Sequence, residues 1–190
     1  MAAPAAEAKP DYLLPNHEGP WTLEDVLALP EDNSQRIELV DGMLYVSPLG
    51  TAVHQRLVFE ASYALRGACP KEFETTIELN VQFDGDRLFI PDFTVLKRRG
   101  AKGLTVPAAD VLLIGEVISR STKVKDLVVK RQVYAEAGVS YYLMIDPATD
   151  VPKATLLELG EEGKYVEIAR SENGVLTFGR PFPVTIELPS

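Results

Sequence analysis

An acidic residue interrupts the most apolar stretch of this chain: Glu116 stands inside Val111-Leu112-Leu113-Ile114-Gly115-Glu116-Val117-Ile118-Ser119. A near-continuous Val/Ile/Leu run bounded by loop-forming residues predicts a central strand covered on both faces. An ionised carboxylate in such a strand is costly unless it is paired or bound to a metal. Any fold built on this strand must bring a cation to it, so Glu116 is a candidate ligand.

A length of 190 residues with 46% hydrophobic and 25% charged side chains suits one compact domain. That domain is expected over residues 21–190, behind a disordered or loosely packed tail over residues 1–20. The tail starts Met1-Ala2-Ala3-Pro4, with neither a basic start nor a long apolar stretch. No apolar run approaches the roughly 18 to 20 residues of a membrane span, so a soluble, cytoplasmic protein without membrane association is expected. The single cysteine, Cys69, and the two histidines, His17 and His54, leave no internal disulfide and no Cys/His zinc cluster. Any metal must be held mainly by oxygen.

The formal charge of −9 argues against a general polyanion binder, but its distribution is uneven. Between Lys97 and Arg131 there are nine Lys/Arg against three acids, and this segment flanks Glu116 in the sequence. It reads either as a solvated loop and helix face or as a surface for a phosphate-bearing partner, with Lys97, Arg98, Arg99, Lys123 and Lys125 as the contacts.

Along the chain, Thr22 with acids behind it predicts a short helix ended by Pro30. Asp41-Gly42 between two strand-like runs predicts a hairpin. A helix is expected from about Ala52 to Leu65, with Val53, Leu57, Ala61 and Leu65 on one stripe and Gly67 past its end. Glu74 to Phe83 alternates as a half-buried strand, turns at Asp84-Gly85-Asp86 and returns as Arg87 to Leu96. Pro91 in the return strand cannot donate to a ladder and marks an edge, a bulge or a divergence. After the Glu116 strand, Ser119-Arg120-Ser121-Thr122 leads into a helix from about Lys125 to Ala137, stopped by Gly138. Tyr141 to Asp146 and four shorter segments read as strands.

Four charged residues stand in suggestive places: Glu38 beside the hairpin, Asp92 after Pro91, Glu116 in the core strand, and Lys130 on the following helix. Lys130 shares a stripe with Leu127, Tyr134 and Ala137, so an ammonium interrupts a face that should meet the sheet. Its partner could be Asp126, one turn away, or an acid of the sheet. Two carboxylates converging on a hard divalent cation, with a lysine nearby, are what phosphodiester hydrolysis needs. Tyr134 reads as core, and His54 as either a helix-surface residue or an additional site residue.

These pieces resemble the Uma-type putative restriction endonuclease family, a branch of the PD-(D/E)XK nuclease superfamily. The resemblance is carried by Arg36-Ile37-Glu38-Leu39-Val40-Asp41-Gly42, Val46-Ser47-Pro48 with His54-Gln55, Pro91-Asp92, Glu116 to Thr122, Asp126 to Lys130, and Tyr134 to Val139 leading to Ile145-Asp146-Pro147. It implies an α/β (mixed α+β) restriction-endonuclease-like fold, with a mixed central sheet flanked by helices. It also implies Asp92 and Glu116 as the acids holding Mg²⁺ or Mn²⁺, Glu38 as a third acid, and Lys130 as the catalytic lysine. The superfamily's usual lysine position, two residues after the second acid, holds Ile118, and Arg120 stands where the family commonly has proline. The activity implied is metal-dependent cleavage of nucleic acid, DNA in the first place, with a homodimer left open. The alternative is a nuclease-fold binding or accessory module without turnover. Glycoside hydrolysis by paired carboxylates is the third reading, weakened by the few aromatics available as a sugar platform.

Overall fold

A computed structural model describes residues 14–30, 35–118, 125–148 and 150–189, with residues 125–127 described as backbone only. The first thirteen residues of the expected tail, and Ser119 to Lys123, lie outside the described residues. Within the tail's described part, His17 stacks on Trp21 at 4.0 Å and meets Asp25.

Local signals account for the first elements. Helix α1 (Leu23–Leu27) starts with a reciprocal cap: the Thr22 hydroxyl accepts the Asp25 N–H while the Asp25 carboxylate accepts that of Thr22. Strands β1 (Gln35–Val40) and β2 (Met43–Pro48) pair across Asp41 and Gly42, whose φ values of 50° and 80° are those a two-residue hairpin turn demands. Helix α2 (Ala52–Ala68) buries Leu57, Val58, Ala61 and Leu65. It differs from expectation at both ends. Val53 faces solvent, and the helix runs through Gly67 to Cys69, which is extended because Pro70 follows it.

The next four strands set the architecture. β3 (Glu74–Ile77), β4 (Val81–Phe83), β5 (Arg87–Phe89) and β6 (Phe93–Leu96) form one hairpin, and the register Ile77↔Phe93 continues without slip to Val81↔Phe89. Its two halves nevertheless belong to different sheets, so the single strands expected over Glu74–Phe83 and Arg87–Leu96 are each split in two. The split has a local cause. Pro91 removes one ladder donor, and opposite Asp92 Glu78 adopts φ 48°, a left-handed conformation that costs a non-glycine residue roughly 1–2 kcal/mol. The Glu78 N–H still donates to the Asp92 carbonyl at 3.2 Å.

β7 (Val106–Pro107) pairs with β4, and a short 3₁₀ turn leads into β8 (Val111–Val117). A π-helical stretch (Lys125–Lys130) continues into α3 (Arg131–Glu136), and Gly138 ends it at φ 72°. Then come β9 (Tyr141–Asp146), β10 (Lys153–Leu159), β11 (Tyr165–Arg170), β12 (Val175–Phe178) and β13 (Val184–Glu187).

The described strands make a five-stranded sheet in the order β2-β1-β5-β4-β7, a six-stranded sheet in the order β11-β10-β9-β8-β6-β3, and the pair β12-β13. The six-stranded sheet is the mixed sheet expected: β8 runs parallel to β9 and antiparallel to β6. Leu57, Ala61 and Leu65 of α2 pack with Phe93, Leu113 and Val117 on one side of it, while Val133 and Tyr134 of α3 pack with Ile114 and Tyr142 on the other. Among the described residues no helix is long and apolar enough to cross a membrane.

Gly115 and Phe93 face each other across β8 and β6, one residue before Glu116 and one after Asp92. A methyl group on Gly115 would overlap the Phe93 ring. Gly115→Ala is therefore expected to lower unfolding free energy by about 1–3 kcal/mol through overpacking, and Phe93→Leu added to it should recover part of the loss. Urea denaturation checks this; an unchanged midpoint in Gly115→Ala would show that the ring has room to move.

Candidate active site

Continuing the β6–β8 register one residue beyond Phe93↔Gly115 sets Asp92 opposite Glu116. The two carboxylates thus stand on neighbouring strand ends where the hairpin splits. Backbone geometry fixes the first of them: the Val117 N–H donates to Asp92 Oδ2 at 2.7 Å. Glu38 comes from the other sheet, on β1, and its Oε1 accepts the Ile90 N–H at 3.0 Å. Ile90 and Asp92 flank Pro91, so the residue that breaks the ladder lies between the backbone donor that holds one acid and the second acid itself.

Lys130 joins the sheets. Its ammonium reaches from the helix to Glu116 Oε1 at 2.8 Å and to Glu38 Oε1 at 3.0 Å, with the Phe89 ring 5.6 Å away. It is 3% exposed, and Glu116 2%. Ile118, two residues after Glu116, is buried as well. The ion pair with the sheet acids is the partner that the helical stripe required; the side chain of Asp126 lies outside the described residues.

Three further side chains complete the cluster. Arg36 NH1 donates to Asp92 Oδ1 at 2.8 Å and NH2 to Glu78 at 3.2 Å. His54, in the first turn of α2, places Nε2 3.2 Å from the same Asp92 oxygen. The Tyr134 hydroxyl donates to Glu116 Oε1 at 2.7 Å. Its ring is wedged among Phe83, Phe89 and Tyr142, with centroids 5.3 to 5.8 Å apart, which leaves the hydroxyl little freedom to turn away.

Electrostatics follow the geometry. Burial pushes the Asp92 carboxyl upwards, but the hydrogen bond from His54, the Arg36 charge and the Val117 N–H outweigh it and hold the group below the usual carboxylate range. Burial works against the Arg36 charge too, yet Asp92, with help from Glu116 and Glu38, raises its pKa above the ordinary arginine value. Burial first, and the Glu116 charge second, push the Tyr134 phenol well above its usual pKa, so it stays a neutral donor.

Asp92, Glu116, Glu38, Lys130 and His54 are brought together. Arg36 and Tyr134 were missed as members of the site, although both left a trace. Arg36 shares a strand face with Glu38 by the period of two, and Tyr134 follows Lys130 by one helical turn. Lys97, Arg98 and Arg99 follow the far end of β6 from Asp92, about 16 Å away at the rise of a strand. Each is tied to a neighbouring group: Lys97 to the Ala109 carbonyl and Arg98 to Asp110 at the end of the loop that follows, and Arg99 to the Lys71 carbonyl before β3. Closeness in sequence to β8 did not make them flank Glu116, because that strand carries its acid at its other end. Lys123 and the Lys125 side chain lie outside the described residues.

Among the described residues no group of three or more His, Cys, Asp or Glu side chains forms a ready-made metal cage. The nearest thing to one is the pair Asp92 and Glu116, whose lone pairs are engaged by Arg36, His54, Lys130, Tyr134 and a backbone N–H. As a donor set, two carboxylates on neighbouring strand ends fit a hard divalent cation of the Mg²⁺ or Mn²⁺ kind, and thiolate chemistry is remote from them.

Comparison with known proteins agrees with this architecture. A crystal structure described as a putative nuclease belonging to DUF820, from Anabaena variabilis ATCC 29413, superposes with a TM-score of 0.62 at 18% identity, covering 78% of this chain and 84% of that one. At that identity the likeness is one of fold. No curated protein matches the chain. Residues 23–189, nearly the whole sequence and every side chain of the acid cluster, match the Uma2 family, described as putative restriction endonuclease. The chain belongs to that family.

Proposed function

We propose that this protein is a divalent-metal-dependent endonuclease that hydrolyses phosphodiester bonds of DNA. The observation that carries the reading is the Lys130 ammonium, buried between Glu116 and Glu38 beside Asp92. Charged groups from separate parts of the chain converge on this point, and a buried ionic cluster is poor value as a source of stability, since apolar packing does as well. Chemistry is the better reason to keep it.

In this reading Asp92 and Glu116 hold Mg²⁺ or Mn²⁺, which when bound supplies a water of lowered pKa and neutralises phosphoryl oxygens. The chain's own groups do the rest. Lys130 orients the attacking water or donates to the oxyanion that develops on phosphorus, with Glu38 retaining one of its N–H bonds. Tyr134 fixes the rotamer of Glu116, and His54 and the Val117 N–H fix that of Asp92. Water adds to phosphorus, the P–O bond to the leaving oxygen breaks, and the proton released passes to solvent or to a neighbouring base. Lys97, Arg98 and Arg99, one strand length away, serve as backbone contacts outside the scissile position.

Two expectations test the cluster itself. Calorimetric titration should show Mn²⁺ and Mg²⁺ binding to the wild-type protein and none to Glu116→Gln, and relaxation of supercoiled plasmid should require the added cation and fail in that variant. Wild-type protein that takes up neither ion would leave the accessory-module reading in its place. Lys130→Ala should cost about 3–5 kcal/mol in urea unfolding, because it strands two buried carboxylates without their shared cation, and Glu116→Gln added to it should return part of that. A cost below about 1 kcal/mol, the ceiling for an ordinary exposed pair, would mean that the acids do not depend on the lysine.

A third expectation concerns the distant basic residues. Neutralising Lys97, Arg98 and Arg99 together should weaken DNA binding across all sequences and reduce its salt dependence, while cleavage of saturated complex proceeds unchanged. Cleavage lost at saturation would place them in the reacting centre instead.

A further inference from the structure

Arg36 divides its guanidinium between an inner and an outer carboxylate. NH1 reaches inward to Asp92, which is 1% exposed, and NH2 outward to Glu78, which is 45% exposed, while the arginine is 18% exposed between them. The Glu78 N–H donates to the Asp92 carbonyl, so the three residues close a ring at the split in the hairpin. Glu78 holds its position in this ring from a left-handed backbone, φ 48°. An exposed ion pair stabilises little, so the strain is not offset by the contact with Arg36. Strain of this kind collects where a conformation serves function.

We propose that the outer half of the Arg36 guanidinium is a seat for a backbone phosphate of the bound nucleic acid, and that Glu78 fills this seat in the free protein. The inference rests on the nuclease reading and deepens it. A planar fork of N–H donors accepts a phosphate in the same way as a carboxylate. The cluster itself is rich in carboxylates that repel a phosphodiester, and of its two permanent cations Lys130 is enclosed while Arg36 opens to solvent. Glu78 is thus a stand-in anion: it keeps the arginine extended towards solvent, and the incoming phosphate displaces it without moving the inner bond to Asp92.

The test is DNA binding without turnover, by fluorescence anisotropy of a labelled duplex and of a labelled single strand in EDTA at low and moderate salt. Glu78→Gln should bind about two- to fivefold tighter than wild type, the scale of one exposed ion pair, with a cooperative urea transition at a midpoint slightly below that of wild type. Arg36→Gln should bind more weakly, with a log-log salt slope shallower by about 1, and Arg36→Lys, which keeps the charge and so protects the fold, should lie between it and wild type. The deciding measurement is Glu78→Gln placed in the Arg36→Gln background, where the gain should vanish. Equal tightening in both backgrounds would reduce Glu78 to a general repulsive charge and overturn the proposal, as would Glu78→Gln binding like wild type while wild type binds DNA. If neither wild type nor Glu78→Gln binds either DNA, the nuclease reading falls and takes this inference with it.

Discussion

The bond from Lys130 to two carboxylates on different sheets is the constraint around which this fold is arranged. Glu38 belongs to the five-stranded sheet and Glu116 to the six-stranded one, and the same ammonium lies 3.0 Å from the first and 2.8 Å from the second. A charge on either nearly solvent-free acid is costly unless a cation compensates it, and this ammonium compensates both. The helix that carries the lysine must therefore lie over the seam between the sheets, and it is held there by Val133 and Tyr134, packed into the aromatic cluster on that side. Immediately before Arg131 the helix is π-wound, from Lys125 to Lys130. A wider turn rotates the residues that follow it, a common device where a helical side chain must meet a fixed partner.

The seam exists because one hairpin serves two sheets. Had the register of β3 and β6 continued as regular pairing into β4 and β5, Asp92 and Glu78 would be ladder residues of a single sheet. Pro91 and the left-handed Glu78 open the ladder instead, and the halves twist apart to join different neighbours. The opening exposes strand ends in the interior of the molecule, and the acids and their partners occupy it. Gly115 belongs to the same design: with no side chain it admits the Phe93 ring, which lets β6 and β8 stay paired right up to the acids.

Much of this was legible in the sequence because it is written in local terms. Thr22 and Asp25, Asp41-Gly42 and Gly138 act within a few residues of where they stand, and the burial of Glu116 follows from an apolar run around one charge. The divided hairpin was not legible. Alternation between Thr75, Ile77, Leu79, Val81 and Phe83 has the period of a strand whichever sheet it joins, so the pattern cannot say where one sheet stops; Pro91 allowed the divergence without fixing it. The meeting of Arg36 with Asp92 is set by the pairing of β1 with β5, a contact between segments far apart in the chain. The place of the basic residues after β6 was hidden for the same reason in reverse: nearness in sequence to β8 says nothing about which end of it they approach.

The charges of the cluster bear on how it could change state. Glu38, Asp92 and Glu116 are balanced by Lys130 and Arg36, with His54 beside Asp92. Adding a divalent cation to carboxylates already shared by two side-chain cations concentrates positive charge, which is favourable only if an anion arrives with it or a side-chain cation turns away. Lys130, 3% exposed, cannot turn away without removing from Glu38 the cation that balances it in the interior. Arg36 can keep its bond to Asp92 and still receive an anion, because its outer hand already lies on a solvated carboxylate. The physical asymmetry between the two cations, one enclosed and one at the boundary, thus separates a fixed element of the cluster from an adjustable one.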